Sequence, residues 1–414
     1  RRALELNEER IANRRYLHEH AETGLHLENT VEFVMKRLTE YGLNPERCGE
    51  GVTALIGQGE PVLLLRADMD ALPLTEESGE SFSCKTGKMH ACGHDFHAAM
   101  LLSAAKMLKE NESHLCGRVK FMFQPAEETF EGADNMIEHG ILENPKPDAA
   151  LAFHVTTGRS PVGTFMYNSK NTMMNSVDGF QITIHGKGSH GACPHQGIDP
   201  INIGVHIYLA LQELIARESN PADSCVLTIG RFCAGEVANI IPETAILQGT
   251  LRTNNEAARE ILVKRIREVS ERTAAVYNGS IEYTVLSAVP PLICNPDLTE
   301  EFVSAMKTLA NPTLNGYPDI NAPASEDFAS IANKIPSTYM YLSAGFEDER
   351  GDYPVHHPKA LFNEDVCPIG AACYAQCAET FLKNRGKIEA LGSDCRQSGA
   401  RTILLVPLFS VGST

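Results

Sequence analysis

Three apolar runs constrain this chain most, because each one ends in side chains able to hold a metal or move a proton. The first, Pro61-Val-Leu-Leu-Leu-Arg66, has no polar alternation and reads as a strand covered on both faces. It leads into Asp68 and Asp70 and stops at Pro73. Arg118 to Phe123 is a second such strand, running into Gln124-Pro125-Ala126-Glu127-Glu128, and Ala149 to Phe153 is a third, ending at His154. Doubly covered strands belong to α/β sheets, whose chemistry gathers beyond the strands' carboxyl ends. The pattern predicts an α/β catalytic domain with a central mixed sheet flanked by helices.

Between the first two strands lies Met89-His90-Ala91-Cys92-Gly93-His94-Asp95-Phe96-His97, directly before the apolar helical run Ala98 to Leu108. Cys92 and His94 are two positions apart, so in an extended or turning backbone their side chains project the same way. A thiolate and a neutral imidazole suit zinc, manganese or cobalt. The plainer reading is a histidine-rich helix entry in which a buried cysteine acts as a small hydrophobe. From this stretch alone, metal outweighs it roughly two to one.

At 414 residues the chain exceeds the size at which a single core stops growing, so two domains are expected. From 178 to 290 the rhythm changes: strand-like runs at 179–185, 225–232, 244–253 and 280–287 enclose helical runs at 200–217 and 256–277. That β-α-β-β-α-β order is ferredoxin-like and would form an inserted domain. It splits the catalytic domain into 1–177 and 291–385, with a tail, 386–414, that follows no clear pattern. The net charge of −17 argues against nucleic acid and against anionic membrane surfaces as partners. No apolar run approaches the length of a bilayer span. The 12 cysteines are scattered without a Cys-x-x-Cys pair, and no leader-like segment opens the chain. Reduced thiols in a cytoplasmic enzyme are the expectation.

Glu127 and Glu128 are neighbours on a loop and point different ways, so one can bind metal while the other serves as general base to an activated water. An acidic helix start would explain the pair taken alone; its place after a buried strand and a proline favours chemistry. His154 by itself would more commonly be a satisfied core histidine, and His356-His357-Pro358 would fit a surface loop. His190, in Gly186-Lys-Gly-Ser-His-Gly191, reads alone as an exposed imidazole in a glycine-rich turn. Arg252 is a carboxylate clamp or a strand-edge charge. Ser325-Glu326-Asp327-Phe328 reads most simply as a helix cap followed by acidic first-turn residues. Cys92, His94 and one further ligand would suffice for a single ion; candidates from several segments favour two.

Taken together, Arg66-Ala-Asp-Met-Asp-Ala-Leu-Pro73, Met89-His-Ala-Cys-Gly-His-Asp95, Gln124-Pro-Ala-Glu-Glu128 and Ser325-Glu-Asp-Phe328 carry a resemblance. The sequence resembles the metal-dependent amidohydrolases of the aminoacylase and carboxypeptidase G superfamily. The branch is that of hippurate hydrolase, N-acetyldiaminopimelate deacetylase and indole-acetyl-amino-acid hydrolase, and the match runs from Arg14 to about Phe381. The resemblance implies an inserted dimerisation or lid domain, a homodimer, and two divalent ions (zinc, manganese or cobalt) per subunit. Carried over residue by residue, it implies that Cys92 bridges the ions, with His94, Glu128, His154 and His356 completing the ligand set. It makes Glu127 the general acid/base and Asp70 the residue that orients the ligands. His190 would reach the partner subunit's active site to polarise the scissile carbonyl, and Asn239 and Arg252 would hold the substrate and its carboxylate. The family commonly has proline where Ala21 stands and an aromatic where Ala360 stands; spacing to Pro358 selects His356 over His357.

The expected activity is hydrolysis of an N-acyl amino acid to a carboxylic acid and a free amino acid by a binuclear metal site. A dipeptidase or carboxypeptidase on the same scaffold is one rival, and a ligand-binding module without catalysis is the other. Glu127 argues against the module, which has no need of a base beside a ligand glutamate.

Overall fold

Every residue of the strand Val62–Asp68 is buried, and its two faces serve two different cores. Side chains alternate across a strand. Leu63, Leu65 and Ala67 join the larger core, whereas Leu64 joins the smaller core with Met122, Ala150, Phe328 and Tyr339. The computed structural model describes residues 1–397 apart from 171 and 312, with backbone alone for 387–397.

The main sheet has eight strands in the order Glu46–Cys48, Gly51–Gly57, Arg118–Gln124, Val62–Asp68, Ala149–Thr156, Ser337–Ser343, Phe165–Met166 and Gly316–Tyr317. The four central strands, from Arg118–Gln124 to Ser337–Ser343, run parallel, and Gly51–Gly57 pairs antiparallel at one side. The sheet is therefore mixed. Parallel neighbours need a crossover, which the helix His94–Glu110 provides between Val62–Asp68 and Arg118–Gln124. That helix is nearly all buried, and it packs against the helices Asn7–Glu19 and Val366–Gln397. These four strands point their carboxyl ends to one edge, so Asp70, Glu127 and His154 emerge side by side.

The inserted unit uses residues 177–289 for a four-stranded antiparallel sheet in the order Cys225–Ala234, Thr244–Thr253, Val177–His185, Ser280–Val289. With the helices Pro200–Glu213 and Glu256–Val276 this is the expected ferredoxin-like arrangement. Alternation again explains it: Phe180, Ile182 and Ile184 pack on Ile203, Ile207 and Leu211 of the first helix and on Leu262 and Ile266 of the second. Both helices start where the sequence caps them. Asp199 accepts from the Ile201 and Asn202 N–H groups, and Asn255 from that of Ala258.

The last helix of the catalytic domain, Val366–Gln397, runs past the expected boundary at 385. Its extension enters the stretch 386–414, where no clear sequence pattern predicts an element, and the rest of that tail lies outside the described residues. No helix among the described residues is long and apolar enough to cross a membrane.

Gly93 joins the fold to the site. It sits at the head of the helix His94–Glu110 with φ +84°, a left-handed conformation that side chains resist, and a Cβ there would lie 2.4 Å from Val155 Cγ2. We expect Gly93→Ala to cost about 2 kcal/mol or more, from overpacking added to backbone strain. A denaturation midpoint at the wild-type value would contradict this.

Candidate metal centre

The lowest layer of the site is a buried charge cluster. Arg66 faces the same side of its strand as Leu64, where Phe328 and Tyr339 lie, and is fully buried. Its guanidinium donates to Gln124 Oε1 (2.9 Å), Asp68 Oδ2 (2.6 Å), Glu326 Oε1 (2.8 Å) and Asp327 Oδ1 (3.1 Å). Gln124 Nε2 donates to Asp327 at 2.7 Å, and the Tyr339 hydroxyl donates to Glu326 at 2.9 Å. Glu326 and Asp327 are therefore not exposed first-turn residues: the helix begins only at Ala329, and both carboxylates face inward. The reason is electrostatic. A charge inside a doubly covered strand must be paired, and Arg66 recruits acids from a segment 260 residues away.

Above this layer Asp70 binds three segments together. Its carboxylate accepts the N–H of Glu127 and of Glu128, both at 3.1 Å. His94 Nδ1 donates to the Asp70 carbonyl at 2.9 Å, with Asp70 Oδ1 at 3.3 Å. This orients the imidazole so that Nε2 faces Glu127 and Glu128, 3.9 Å from each. Ala126, Phe130 and His356 hold positive φ of 52°, 60° and 67°, so the loops carrying these groups are strained where they meet.

Cys92 stands at the centre of the donor atoms. His154 Nε2 is 3.4 Å and His356 Nε2 is 3.2 Å from its sulfur, and His356 Nε2 is also 3.4 Å from Glu128 Oε1. Two donor groups thus share the thiol: Cys92, His94 and His154, and Cys92, Glu128 and His356. A third, His94, Glu127 and Glu128, overlaps both. His357 instead stacks on Tyr353 and accepts the Lys359 N–H.

The donors' own chemistry fits a divalent ion. His154 donates from Nδ1 to the Val155 carbonyl at 2.6 Å, leaving a lone pair on Nε2. Burial and the neighbouring His97 hold its pKa well below the usual imidazole value, so it stays neutral. His94 Nε2 is buried without a hydrogen-bond partner, and Glu128 Oε1 meets His356 in an ion pair at 3.4 Å. Burial lowers the His94 pKa, but the charges of Asp68 and Cys92 more than offset it and drive it well above the usual value. Surroundings that hold a proton so firmly also favour a metal cation in its place. Hydrogen bonds to Cys92 and Glu128 likewise push His356 up to about 10. Burial, with the charges of Glu326, Asp327 and Glu128, holds Glu127 well above the ordinary carboxylate range. Glu128 is opposite: burial raises it, and the His356 hydrogen bond and His94 charge outweigh that and bring it below.

These groups open into a cavity of about 590 Å³, whose lining adds Phe130, Met174, Tyr341, Ser325 and Arg252. Arg252 donates to Ser325 Oγ at 2.9 Å. His190 and Asn239 are not among the lining residues. They lie exposed on the ribbon in which Ile240 pairs with His190 and the Gly191 N–H meets the Asn239 carbonyl. Sequence reasoning did not find the Arg66 cluster as a partner set, although an arginine ending an apolar run signals the need for one. Tyr341 carried no such signal.

A mixed α/β sheet whose strand ends converge on thiol, imidazole and carboxylate donors, with a carboxylic acid of raised pKa beside them, is the arrangement of a metal-dependent hydrolase. The chain belongs to the family Peptidase M20/M25/M40, whose model matches residues 64–380. It is 36% identical over 364 residues to N-acetyl-L-cysteine deacetylase of Bacillus subtilis, covering 87% of this chain and 85% of that protein. It is 37% identical over 383 residues to IAA-amino acid hydrolase ILR1-like 2 of Arabidopsis thaliana, with 90% and 85% covered. Thermostable carboxypeptidase 1 of Saccharolobus solfataricus is 35% identical over 381 residues, with 90% and 95% covered. Among solved structures, the Bacillus subtilis YxeP protein, described as a dinuclear metal binding peptidase, matches with a TM-score of 0.76 at 31% identity, over 91% of this chain and 99% of that one.

Replacing Arg66 by methionine would strand three buried carboxylates. Loss of about 3–5 kcal/mol is expected, as for breaking a buried ion pair from one side. Thermal unfolding of Arg66→Met within a degree of wild type would show that the cluster does not hold the site.

Proposed function

We propose that this chain hydrolyses the amide of N-acyl amino acids with the help of two divalent ions, which Cys92, His94, Glu128, His154 and His356 would hold. The observation that carries the reading is the sharing of one buried thiol by two donor groups, with Glu127 beside them and its carboxyl raised by burial and by the neighbouring acids despite His94 at 3.9 Å. Divalent ions bound there supply Lewis acidity for the amide carbonyl and acidify the attacking water. Glu127 takes the proton from that water and delivers it to the leaving nitrogen, for which a carboxyl of raised pKa is suited. Asp70 holds Glu127, Glu128 and His94 in mutual register. Arg252 has no carboxylate partner among the described residues and lines the cavity, which supports its role as receptor for the substrate carboxylate.

The inserted domain acts in this reading as lid and dimer module. Cys225–Ala234 is an edge strand exposing Val226 and Phe232, and the adjoining helix exposes Ile201, Val205, Tyr208 and Leu209 on the face opposite its buried Ile203, Ile207 and Leu211. An unpaired edge beside an apolar helix stripe suits a second copy of the chain. His190 and Asn239, exposed and together, would then complete the partner's site. His190→Ala is expected to lower kcat at least a hundredfold, the scale of losing one oxyanion donor, while the sedimentation coefficient stays that of the dimer. Wild-type kcat, or a monomer, would refute this role.

The function is tested by following amine release from N-acetyl, N-benzoyl and indole-acetyl amino acids and from free dipeptides, before and after chelation, with Zn²⁺, Mn²⁺ or Co²⁺ restored. Metal-restored hydrolysis of the acylated compounds is expected; preference for free dipeptides would select the carboxypeptidase-like reading, which the Saccharolobus relative's name also suits. Glu127→Gln should retain metal, measured by elemental analysis, and lose about 10³-fold or more in kcat.

A further inference from the structure

We propose that Ser325 is a latch that aims Arg252 and thereby sets the site's requirement for a carboxylate on its substrate; this rests on the amide-hydrolase reading above. Arg252 belongs to the strand Thr244–Thr253 of the inserted domain, whereas Ser325 directly precedes the buried acids Glu326 and Asp327 of the catalytic domain. Both line the metal cavity. Arg252 donates from Nη1 to Ser325 Oγ at 2.9 Å, and the Ser325 hydroxyl donates to the Asn175 carbonyl at 2.9 Å. A hydroxyl has one proton, so giving it to Asn175 leaves its lone pairs to face the guanidinium. Asn175 adjoins the first crossing between domains, where the Ser176 N–H donates to the Thr253 carbonyl at 2.7 Å and the Thr253 N–H to Ser176 Oγ at 2.9 Å. The backbone beside Arg252 and the tip of its side chain are thus tied to the same short segment.

The consequence is geometric. A guanidinium grips a carboxylate bidentately along Nε and Nη2 or along its two terminal nitrogens. Ser325 takes one of the two Nη1 protons and leaves the Nε/Nη2 edge, which makes no hydrogen bond to the described residues, for the ligand. No carboxylate of the described residues competes for it. Without the hydroxyl, Nη1 loses its anchor, the long side chain regains rotamer freedom, and binding must order it again. Ser325 is therefore a positioning residue acting through Arg252.

The experiment compares kcat/KM for an N-acyl amino acid with that for the corresponding N-acyl amino carboxamide, in the full-length metal-loaded protein. Wild type should prefer the acid. Ser325→Ala should reduce the acid-to-carboxamide ratio roughly tenfold, the scale of a hydrogen bond to a charged group, chiefly through KM for the acid. Ser325→Thr, which keeps the hydroxyl, should restore the ratio. Ser325→Cys supplies the same comparison with a weak acceptor of similar size, should the alanine variant not fold. In the Arg252→Met background the serine substitution should change the ratio no further. An unchanged ratio in Ser325→Ala or Ser325→Cys, or full additivity with Arg252→Met, overturns the latch. If wild type hydrolyses neither compound the functional reading fails and takes the latch with it; if it hydrolyses the acid and the serine variants match it, only the latch fails.

Discussion

One fully buried guanidinium, that of Arg66, decides how the catalytic half of this molecule is assembled. Removing a charge from water costs several kcal/mol unless it is paired and hydrogen-bonded. Arg66 meets that demand with Asp68 on its own strand, Gln124 on the neighbouring strand, and Glu326 and Asp327 from the far side of the inserted domain. Those contacts bring the return segment of the chain beneath the strand ends. They also place Ser325, one residue earlier, at the cavity wall. The cluster carries more acid than base, and the excess is felt by Glu127 above it, whose carboxyl is raised by burial and by those same charges.

Asp70 carries the next layer, linking the ends of two strands to the head of a helix through Glu127, Glu128 and His94. The division between the two glutamates follows from this scaffold. Both are held by adjacent N–H groups on one carboxylate, yet Glu128 turns to His356 and is stabilised as an anion, while Glu127 is pushed toward its protonated form. Two neighbouring side chains of the same type thus acquire opposite acid–base character, as their proposed roles of ligand and base require.

Much of this is legible in the order of the amino acids. Apolar runs without alternation mark doubly covered strands, and Val62–Asp68, Arg118–Gln124 and Ala149–Thr156 are buried nearly throughout. Period-two and helical patterns between 178 and 290 mark the inserted domain, whose helices begin at Asp199 and Asn255 caps. Ser325-Glu326-Asp327 misleads because local grammar cannot separate a solvated acidic first turn from an inward-facing one. The difference is made by Arg66, distant in sequence. The last helix also outruns its apolar pattern, reaching Gln397.

By itself the sequence determined the kinds of chemistry available: a thiol and an imidazole around Gly93, two adjacent glutamates after a strand and a proline, and a histidine at a third strand's end. Those features lie within a few residues of one another, where backbone periodicity and turn chemistry govern. Only the tertiary structure decided that Cys92 is approached by His154 and His356 together, that His357 turns away to Tyr353, and that Arg252 meets Ser325 across two domains. Those choices depend on long-range packing and on the need to pair buried charge, quantities that no local stretch of chain contains.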